Sequence, residues 1–452
     1  MAGSFHQPTI LSVKRQIGLI TAIAIVVANM IGTGIFVTTG FIVKLVPGPG
    51  WVLLCWLLGG LIAVSGALCY GELSTRMPEV GGEYVYLRKL YHPLLGFLTG
   101  WTSLIVGFSA PIASAALSFS AYTFAGLGIP MPDHQPLPPK LAATLIILIF
   151  TLIHYLGIKF GSKVQVLLTA VKVLIILGLA GFGLWFGSIR GTPLIGESLG
   201  AFNASSLGTA IMLVMFAYSG WNASSYIAGE LKQPQRTLPW SLVIGTIIVI
   251  LLYLAINLFV LLTLPYPELS GTITVVHAAA LRAFGDWFSH WMSLLVSLCL
   301  LSSLSAFILI GPRVYFAMAK DQLFFPFAAK IHPRYQVPGT SILLQGAIAV
   351  MMVMISPLEQ LILYISFALN LFPWLAIAGL FLARKRGIGE ASAVRVKGFP
   401  IVPIFYLVSS LILMTMMYQA RPLESTAALG TVILGIPCYF IWMKWVHWKK
   451  PL

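Results

Sequence analysis

Charged residues are scarce in this sequence. Only 9% of the 452 residues are Asp, Glu, Lys or Arg, and 12 of these are acidic, whereas 59% of the chain is hydrophobic. A soluble globular protein carries about 25% charged residues. Long apolar runs of this kind are typical of helices in a bilayer, where every backbone polar group must be satisfied internally. The composition excludes a soluble enzyme and predicts an all-α membrane protein.

Cysteines and reactive groupings are scarce as well. The four cysteines lie within apolar runs and form no Cys-x-x-Cys pair, which excludes a disulfide framework and a zinc site. The sequence has no Ser/His/Asp grouping and no phosphate-binding loop that would indicate catalysis. We therefore expect a protein without enzyme activity, bound metal or cofactor.

Apolar runs long enough to span a membrane recur along the whole chain. About 20 apolar residues cross roughly 30 Å of hydrocarbon. No connecting loop is long enough to form another domain, so residues 1–452 are expected to form a single transmembrane domain. The twelve expected spans are 17–45, 51–76, 84–125, 140–157, 162–187, 203–231, 238–264, 286–319, 340–356, 359–384, 400–419 and 425–446.

The basic residues lie mostly on one side of these spans. Of the 27, 21 fall in the loops that share a side with the N-terminus, and Lys172 falls within a span. The five on the other side are Lys44, Lys140, Arg190, Arg282 and Arg421. Because the basic side faces the cytoplasm, we expect a multi-pass protein of the cell (inner) membrane with both termini cytoplasmic. Topology within a lipid bilayer thus accounts for the net charge of +15, and no nucleic acid partner is needed.

Two of the expected spans are interrupted. Gly32-Thr33-Gly34 breaks the first, and Ser219-Gly220-Trp221-Asn222 breaks the sixth, 187 positions later. One Gly-x-Gly triplet is weak evidence, because about four are expected by chance among 42 glycines and close helix packing also uses glycine. Interruptions at matching places in two halves are typical of transporters. We therefore predict two five-helix repeats at about 16–187 and 203–384, followed by helices 11 and 12 at about 400–446.

The interrupted backbone predicts a binding site for a zwitterion. The N–H groups of residues 33–35 begin a new half-helix and attract a carboxylate, as helix N-termini do. The carbonyl groups near 30–31 and 216–219 end half-helices and attract an ammonium group. Since residues 16–43 and 204–229 carry no formal charge, an α-amino acid fits better than a net ion. The predicted substrate-binding residues are Met30, Ile31, Gly32, Thr33, Gly34, Ile35, Phe216, Ser219, Gly220 and Asn222.

For three other side chains, more than one role is possible. Phe216 and Trp221 flank the second break and are predicted to gate the site, although aromatic residues in spans usually pack. Lys172 lies eight residues inside its apolar run, about 12 Å deep, which is beyond comfortable snorkelling. Its ammonium is predicted to take the place of a coupling sodium ion; alternatively it carries a proton or is a structural cation.

Four carboxylates are expected near the cytoplasmic ends of the spans. Glu72 lies four residues before Arg76, a spacing that favours an ion pair on a helix. For Glu230 we expect an ion pair with Lys232 or Arg236, or else a role in gating. Glu79 and Glu83 lie in a turn, where they either latch the inner gate or are solvated.

Four motifs together resemble those of a known family. They are Ile31-Gly32-Thr33-Gly34-Ile35-Phe36, Gly81-Gly82-Glu83-Tyr84, Phe216-Ala217-Tyr218-Ser219-Gly220-Trp221-Asn222 and Ala317-Met318-Ala319-Lys320-Asp321. Over essentially its whole length the chain resembles the amino acid/polyamine/organocation (APC) superfamily, in its L-amino acid transporter (LAT)-like branch. The resemblance implies the LeuT-like fold, a five-plus-five inverted repeat with broken helices 1 and 6. It also implies alternating access and sodium-independent exchange.

The resemblance also implies roles for individual residues. The substrate carboxylate would meet residues 33–35, its amino group would meet carbonyls of Met30, Phe216 and Ser219, and Lys172 would stand in for sodium. Relatives that take cationic substrates have Asp at the position of Ser219, so small neutral L-amino acids are expected. The loop at 126–139 has no cysteine, so no disulfide-linked ancillary subunit is expected.

The resulting expectation is an antiporter for small neutral L-amino acids. Two alternatives stay open at this point: a proton-coupled amino acid symporter and a non-transporting amino acid sensor.

Overall fold

The computed structural model describes residues 15, 17–129, 137–157, 162–186, 203–335 and 337–448. Several features of the sequence interpretation lie outside these ranges. They are the two termini (residues 1–14 and 449–452), Arg190, residues 16 and 187 at the ends of the first predicted repeat, and positions 130–136 of the cysteine-free loop. Within the described ranges the secondary structure is helical, apart from two isolated β-bridges. The all-α class predicted from the composition is confirmed.

The helices follow one another along the chain with short connections. They are α1 (Leu19–Met30), α2 (Thr33–Val43), α3 (Pro49–Arg76), α4 (Glu83–Leu90), α5 (Pro93–Thr102), α6 (Ala110–Gly126), α7 (Leu137–Tyr155), α8 (Ser162–Phe186), α9 (Ala204–Ala217), α10 (Ala223–Tyr226), α11 (Pro234–Thr263), α12 (Val275–Phe284), α13 (Asp286–Lys320), α14 (Gly339–Ile355), α15 (Leu358–Lys385), α16 (Ile401–Ala420) and α17 (Pro422–Trp448). A π-helical turn, Ser103–Ser109, joins α5 to α6, and 3₁₀ turns occur at Ala228–Glu230, Tyr266–Leu269, Pro326–Ala329 and Glu390–Ser392.

Nine helical stretches in the described part are long and apolar enough to cross a membrane. They correspond to the predicted spans 1 to 4, 7, 8 and 10 to 12. The predicted spans 5, 6 and 9 correspond to shorter apolar helices, Thr169–Trp185, Ala204–Ala217 and Gly339–Ile355. The chain is thus a multi-pass membrane protein, while the count of twelve, the single domain and the two repeats stay predictions.

Both predicted interruptions are present. The first long helix stops at Met30, the last residue of α1, and resumes at Thr33 with α2. The second stops at Ala217 and resumes at Ala223. Gly220, in the second gap, has φ of +94°, a conformation that glycine adopts at little cost. The chain is therefore unwound at both places where the sequence predicted a break.

The second half of the sixth span is much shorter than predicted. Helix α10 has only four residues, and a 3₁₀ turn follows it. The helix does not extend to residue 231 because the backbone there pairs with the start of the chain. Ile17 N–H donates to the carbonyl of Glu230 at 3.0 Å, and Lys232 N–H donates to the carbonyl of Ile17 at 2.8 Å.

The predicted third span, 84–125, also begins differently. Glu83–Leu90 forms the separate helix α4, and the membrane-crossing stretch starts only at Pro93. Proline disfavours the α conformation in the residue before it, so α4 cannot continue into α5. The His92 ring then caps α5 by accepting a hydrogen bond from Leu94 N–H at 3.1 Å.

The helices that carry the breaks lie in the centre of the bundle. The most apolar window of Leu19–Val43 is 72% buried and that of Pro93–Gly126 is 83% buried. In contrast, the corresponding windows of Leu137–Tyr155 and Pro422–Lys444 are only 22% buried and expose leucine and isoleucine side chains. These outer helices present their apolar surface to lipid, and the unwound segments are shielded from it.

Candidate substrate site

The two interruptions touch each other directly. A Cβ atom added to Gly34 would overlap the Cα and Cβ atoms of Ala217, the last residue of α9. A Cβ added to Gly220 would lie 2.9 Å from the backbone carbonyl of Asn29. Both glycines are therefore needed for close approach of two backbones, which is the packing use of glycine in membranes. The predicted pair of breaks forms one continuous unit.

A cavity opens beside this unit. Its volume is about 80 Å³. A single water needs about 10–15 Å³ on this measure, so the cavity has room for roughly five to eight water-sized groups. Its wall mixes aromatic side chains with polar ones. The polar side chains include those of Asn29, Glu83, Thr102, Ser219, Asn222 and Asn370, and the aromatic ones include Phe108, Trp221 and Phe307.

The predicted binding residues divide into two groups. Ser219, Gly220 and Asn222 line the cavity, as does Trp221, one of the two residues predicted to gate it. Residues 30–35 and Phe216 are buried next to the cavity but are not part of its wall. The reason is the tight contact of the start of α2 against α9, which covers the first break in this conformation.

The start of α2 nevertheless has an unused donor. Thr33 is the first residue of α2, and its Oγ1 is buried without a hydrogen-bond partner in the described part of the chain. Backbone N–H groups in the first turn of any α-helix also lack partners within the helix. Buried polar groups are rarely left unpaired, so this end of α2 has the capacity to bind a carboxylate.

The carbonyl groups at the breaks are held by a tyrosine that the sequence interpretation missed. The Tyr253 hydroxyl of α11 lies 2.6 Å from the carbonyl oxygen of Met30 and 3.1 Å from that of Ala217. The ring is fully buried. This one hydroxyl therefore connects the last carbonyls of α1 and α9. The available signal was a tyrosine in the middle of an apolar run, because a buried tyrosine hydroxyl usually has a partner.

Lys172 reaches the end of α1. Its Nζ donates to the carbonyl of Ile31 at 2.8 Å and to Ser303 Oγ at 2.8 Å, and it lies 3.4 Å from the carbonyl of Ala28. Ser303 Oγ itself donates to the carbonyl of Ile31 at 2.6 Å. The side chain of Lys172 is 1% exposed. A positive charge thus sits where the negative end of the α1 dipole lies.

Glu83 is not a solvated turn residue. It is buried, and its Oε1 accepts hydrogen bonds from the Tyr70 hydroxyl at 2.8 Å and from Asn222 Nδ2 at 2.6 Å. Burial raises the pKa of Glu83 to about 7, although the hydrogen bonds from Tyr70, Asn222 and Tyr226 oppose this shift. The side chain of Asn222, which was predicted to bind substrate, therefore donates a hydrogen bond to Glu83 in this structure.

The other carboxylates form ion pairs. Glu72 pairs with Arg76 at 2.8 Å, as its spacing indicated, and also with Arg384 at 2.6 Å. Glu230 pairs with Arg313 of α13 at 3.2 Å, so the expected pair with the basic residues that directly follow it is wrong. The end of α10 turns toward α13, which places the carboxylate beside that helix.

Both ends of the broken-helix unit are covered. On the side of the N-terminus, Gly81 N–H donates to the carbonyl of Tyr226 at 3.1 Å, and this contact adds to the pairing at Ile17. On the other side, the Tyr122 hydroxyl donates to the carbonyl of Phe36 at 2.6 Å. The broken-helix unit is therefore held at both of its ends by contacts with neighbouring parts of the bundle.

The sequence matches a described family and several curated proteins. The model of the amino acid permease family matches residues 17–436. The serine/threonine exchanger SteT of Bacillus subtilis is 31% identical over 437 residues, which covers 94% of this chain and 96% of that protein. The human large neutral amino acids transporter small subunit 2 is 27% identical, with 97% of this chain and 82% of that protein covered. The human b(0,+)-type amino acid transporter 1 is 29% identical, with 98% and 90% covered.

Proposed function

Since the chain belongs to the amino acid permease family, within the LAT-like branch of the APC superfamily, we propose that it is a sodium-independent exchanger of small neutral L-amino acids. Amino acid transport follows from the family. Exchange as the mode of transport, sodium independence and the substrate class are proposals, supported by the features below. In the proposed cycle, substrate bound between the two broken helices is exposed to each side of the membrane in turn.

The observation that carries the proposal is the position of Lys172. Its ammonium group lies against the carbonyl of Ile31 and the hydroxyl of Ser303, both 2.8 Å away. Carbonyl and hydroxyl oxygens are the ligands that a sodium ion would need at the end of a broken helix. A lysine ammonium group supplies the same charge without a bound ion, so substrate binding would not require sodium. In this role Lys172 acts on substrate binding indirectly, by stabilising the backbone of the first break.

The substrate is proposed to span the two breaks. Its carboxylate would be bound by the N–H groups of residues 33–35 and by the unpartnered Oγ1 of Thr33. Its amino group would be bound by carbonyls at the ends of α1 and α9, among them those of Met30, Phe216 and Ser219. Phe216 and Trp221 would cover it. The tight contact of Gly34 with Ala217 implies that these halves separate slightly when substrate enters.

The cavity favours a short, uncharged side chain. Its volume of about 80 Å³ leaves little space beyond the amino acid backbone. The Thr102 hydroxyl in its wall is buried and without a partner among the described residues, so it can bond to a substrate hydroxyl. SteT, the bacterial relative, is named a serine/threonine exchanger. We therefore propose serine, threonine and alanine as substrates.

Orientation and assembly are part of the same proposal. We propose that the protein lies in the cell (inner) membrane. The side that carries the N-terminus and most basic residues then faces the cytoplasm. One human relative is named a small subunit. Because residues 126–139 contain no cysteine, we propose that this chain works without a disulfide-linked ancillary subunit.

Transport by the purified protein in liposomes tests this function. Uptake of labelled serine should require unlabelled serine, threonine or alanine in the lumen and should be the same in sodium and choline buffers. Uptake that needs a sodium gradient would refute the assignment of Lys172. Net uptake into empty vesicles driven by a pH gradient would instead identify a proton-coupled symporter, and saturable binding without any flux would identify a sensor.

A further inference from the structure

Glu83 lies at the meeting point of three parts of the bundle. Its carboxylate accepts hydrogen bonds from Tyr70 of α3 and from Asn222, the last residue of the second break before α10. Glu83 is 5% exposed, and it forms part of the cavity wall. The carboxylate therefore holds α10 and the break before it against α3.

Within the described ranges, the charge of this carboxylate is not compensated by a cation. No basic side chain forms an ion pair with Glu83 among the residues that the structure describes, in contrast to Glu72, which contacts two arginines. Burying an ionised carboxylate without a cation costs several kcal/mol, and hydrogen bonds recover only part of that cost. A buried carboxyl in such a place takes up a proton more readily than one in water.

The groups that face Glu83 do not titrate near neutral pH. They are the hydroxyl of Tyr70 from α3, that of Tyr226 from α10, that of Tyr406 from α16 and that of Tyr86 from α4 itself, together with the neutral amide of Asn222. Tyrosine ordinarily ionises near pH 10. Within this cluster, a change of charge between pH 5 and 8 therefore belongs to Glu83.

The same cluster adjoins a second contact between α10 and the turn before α4. Two residues before Glu83, the N–H of Gly81 donates to the carbonyl of Tyr226, so α10 is attached to the turn as well as to the carboxylate. If α10 moves away from α3, water reaches Glu83 and solvates its charge. The docked position of α10 therefore favours the protonated carboxyl, and the released position favours the ionised one.

We propose that Glu83 is a proton-binding site whose occupancy keeps α10 docked on α3 and closes the cytoplasmic path to the substrate cavity. The proposal rests on the proposed exchange function and its orientation. Loss of the proton above neutral pH favours release of α10 and opening of the cavity to the cytoplasm. The exchanger is then slowed by acid, through a site separate from Lys172.

The direction of the pH effect follows from linkage. The docked carboxyl has a pKa of about 7, well above its ordinary value, so the fraction of open protein rises with pH below 7 and levels off above it. Where opening limits the rate, exchange should increase by about tenfold or more between pH 5.5 and 7.5 and then stay constant. Binding of substrate from the opposite side should change far less.

The test is serine exchange by the reconstituted full-length protein, with the same pH on both sides of the membrane, from pH 5.5 to 8.5. Glu83→Gln is always neutral and should exchange at a slow rate that no longer depends on pH. Tyr70→Phe removes a donor that favours the ionised form, so its profile should shift toward higher pH. Glu390→Gln removes an exposed carboxylate that pairs with Arg395, and it should keep the wild-type profile.

Several outcomes would overturn the proposal. One is wild-type exchange that is rapid and independent of pH, which leaves the exchange function intact and removes only the role of Glu83. Another is an unchanged profile in both Glu83→Gln and Tyr70→Phe. A third is wild-type exchange of lysine that Glu83→Gln abolishes, since the carboxylate would then bind a cationic substrate side chain. Absence of exchange by the wild type at every pH would refute the exchange function itself.

Discussion

A methyl group at Gly34 should disrupt the substrate site. The added Cβ of Gly34→Ala would overlap both the Cα and the Cβ of Ala217, and neither atom can rotate out of the way. Relief requires that α2 shift away from α9. Such a shift moves the N–H groups of residues 33–35 relative to the carbonyls of the second break, so the two proposed ends of the substrate site no longer match one amino acid.

The expected loss follows from the cost of overpacking. Forcing an extra methyl into a packed interior costs about 1–3 kcal/mol, which corresponds to roughly fivefold to 150-fold in affinity. Gly34→Val adds two further methyl groups and should lie at or beyond the upper end. Gly32→Ala is the matched control within the same break. Its Cβ would have only ordinary contacts, 3.6 Å from the Oγ of Ser303 and 3.7 Å from its Cβ.

Binding of labelled serine to the purified variants measures this effect. Membrane yield and melting temperature should be recorded for each variant, so that lost affinity is separated from failed insertion. We expect weak binding for Gly34→Ala and near-normal binding for Gly32→Ala. Wild-type affinity in Gly34→Ala would show that the contact with Ala217 is packing alone and that the site lies elsewhere.

Three further substitutions test the groups around the breaks. Lys172→Met removes a charge-assisted hydrogen bond worth about 1.5–3 kcal/mol, so the exchange rate should fall by roughly tenfold to a hundredfold, and added sodium should not restore it. Exchange that sodium restores would contradict the proposal that Lys172 takes the place of a sodium ion. Tyr253→Phe leaves the carbonyl of Met30 unpaired at a cost of about 1–3 kcal/mol, and serine affinity should fall while membrane yield stays normal; unchanged affinity would remove the hydroxyl from the site. Arg384→Gln breaks the ion pair between Arg384 and Glu72. Loss of one partner of a fully buried pair costs about 3–5 kcal/mol, and less is expected for this partly exposed arginine, so the melting temperature should drop. A normal melting temperature would show that the pair adds no stability.

The sequence was sufficient for the class of fold and for both breaks. Apolar runs and glycine positions are local features, and bilayer thickness converts them directly into helices. The depth of Lys172 could be predicted in the same way. Its partners could not, since Ile31 and Ser303 lie 141 and 131 positions away along the chain. Tyr253 and Ser303 escaped notice for the same reason, because hydroxyl side chains inside spans acquire a role only through such distant contacts.

The burial of Glu83 depends on the two glycines before it. Gly81 and Gly82 have φ of +123° and +54°, values that most residues avoid. This backbone reverses the chain so that α4 begins inside the bundle and carries Glu83 inward. The Gly-Gly pair was visible in the sequence, but its direction of turn was not. The wrong partner for Glu230 follows from the early end of α10 at Tyr226, because Glu230 lies in the 3₁₀ turn that follows and faces Arg313 of α13.

The contacts of the first break bear on how the protein is made. The carbonyl of Ile31 is paired with Lys172 and Ser303, so its partners emerge from the ribosome long after α1 has entered the membrane. Until then the unwound backbone has unsatisfied groups, which hydrocarbon does not tolerate. We expect the first helices to stay beside water or the insertion machinery until α13 is complete. Nascent chains that stop before residue 303 should therefore be poor at leaving the translocon and prone to degradation.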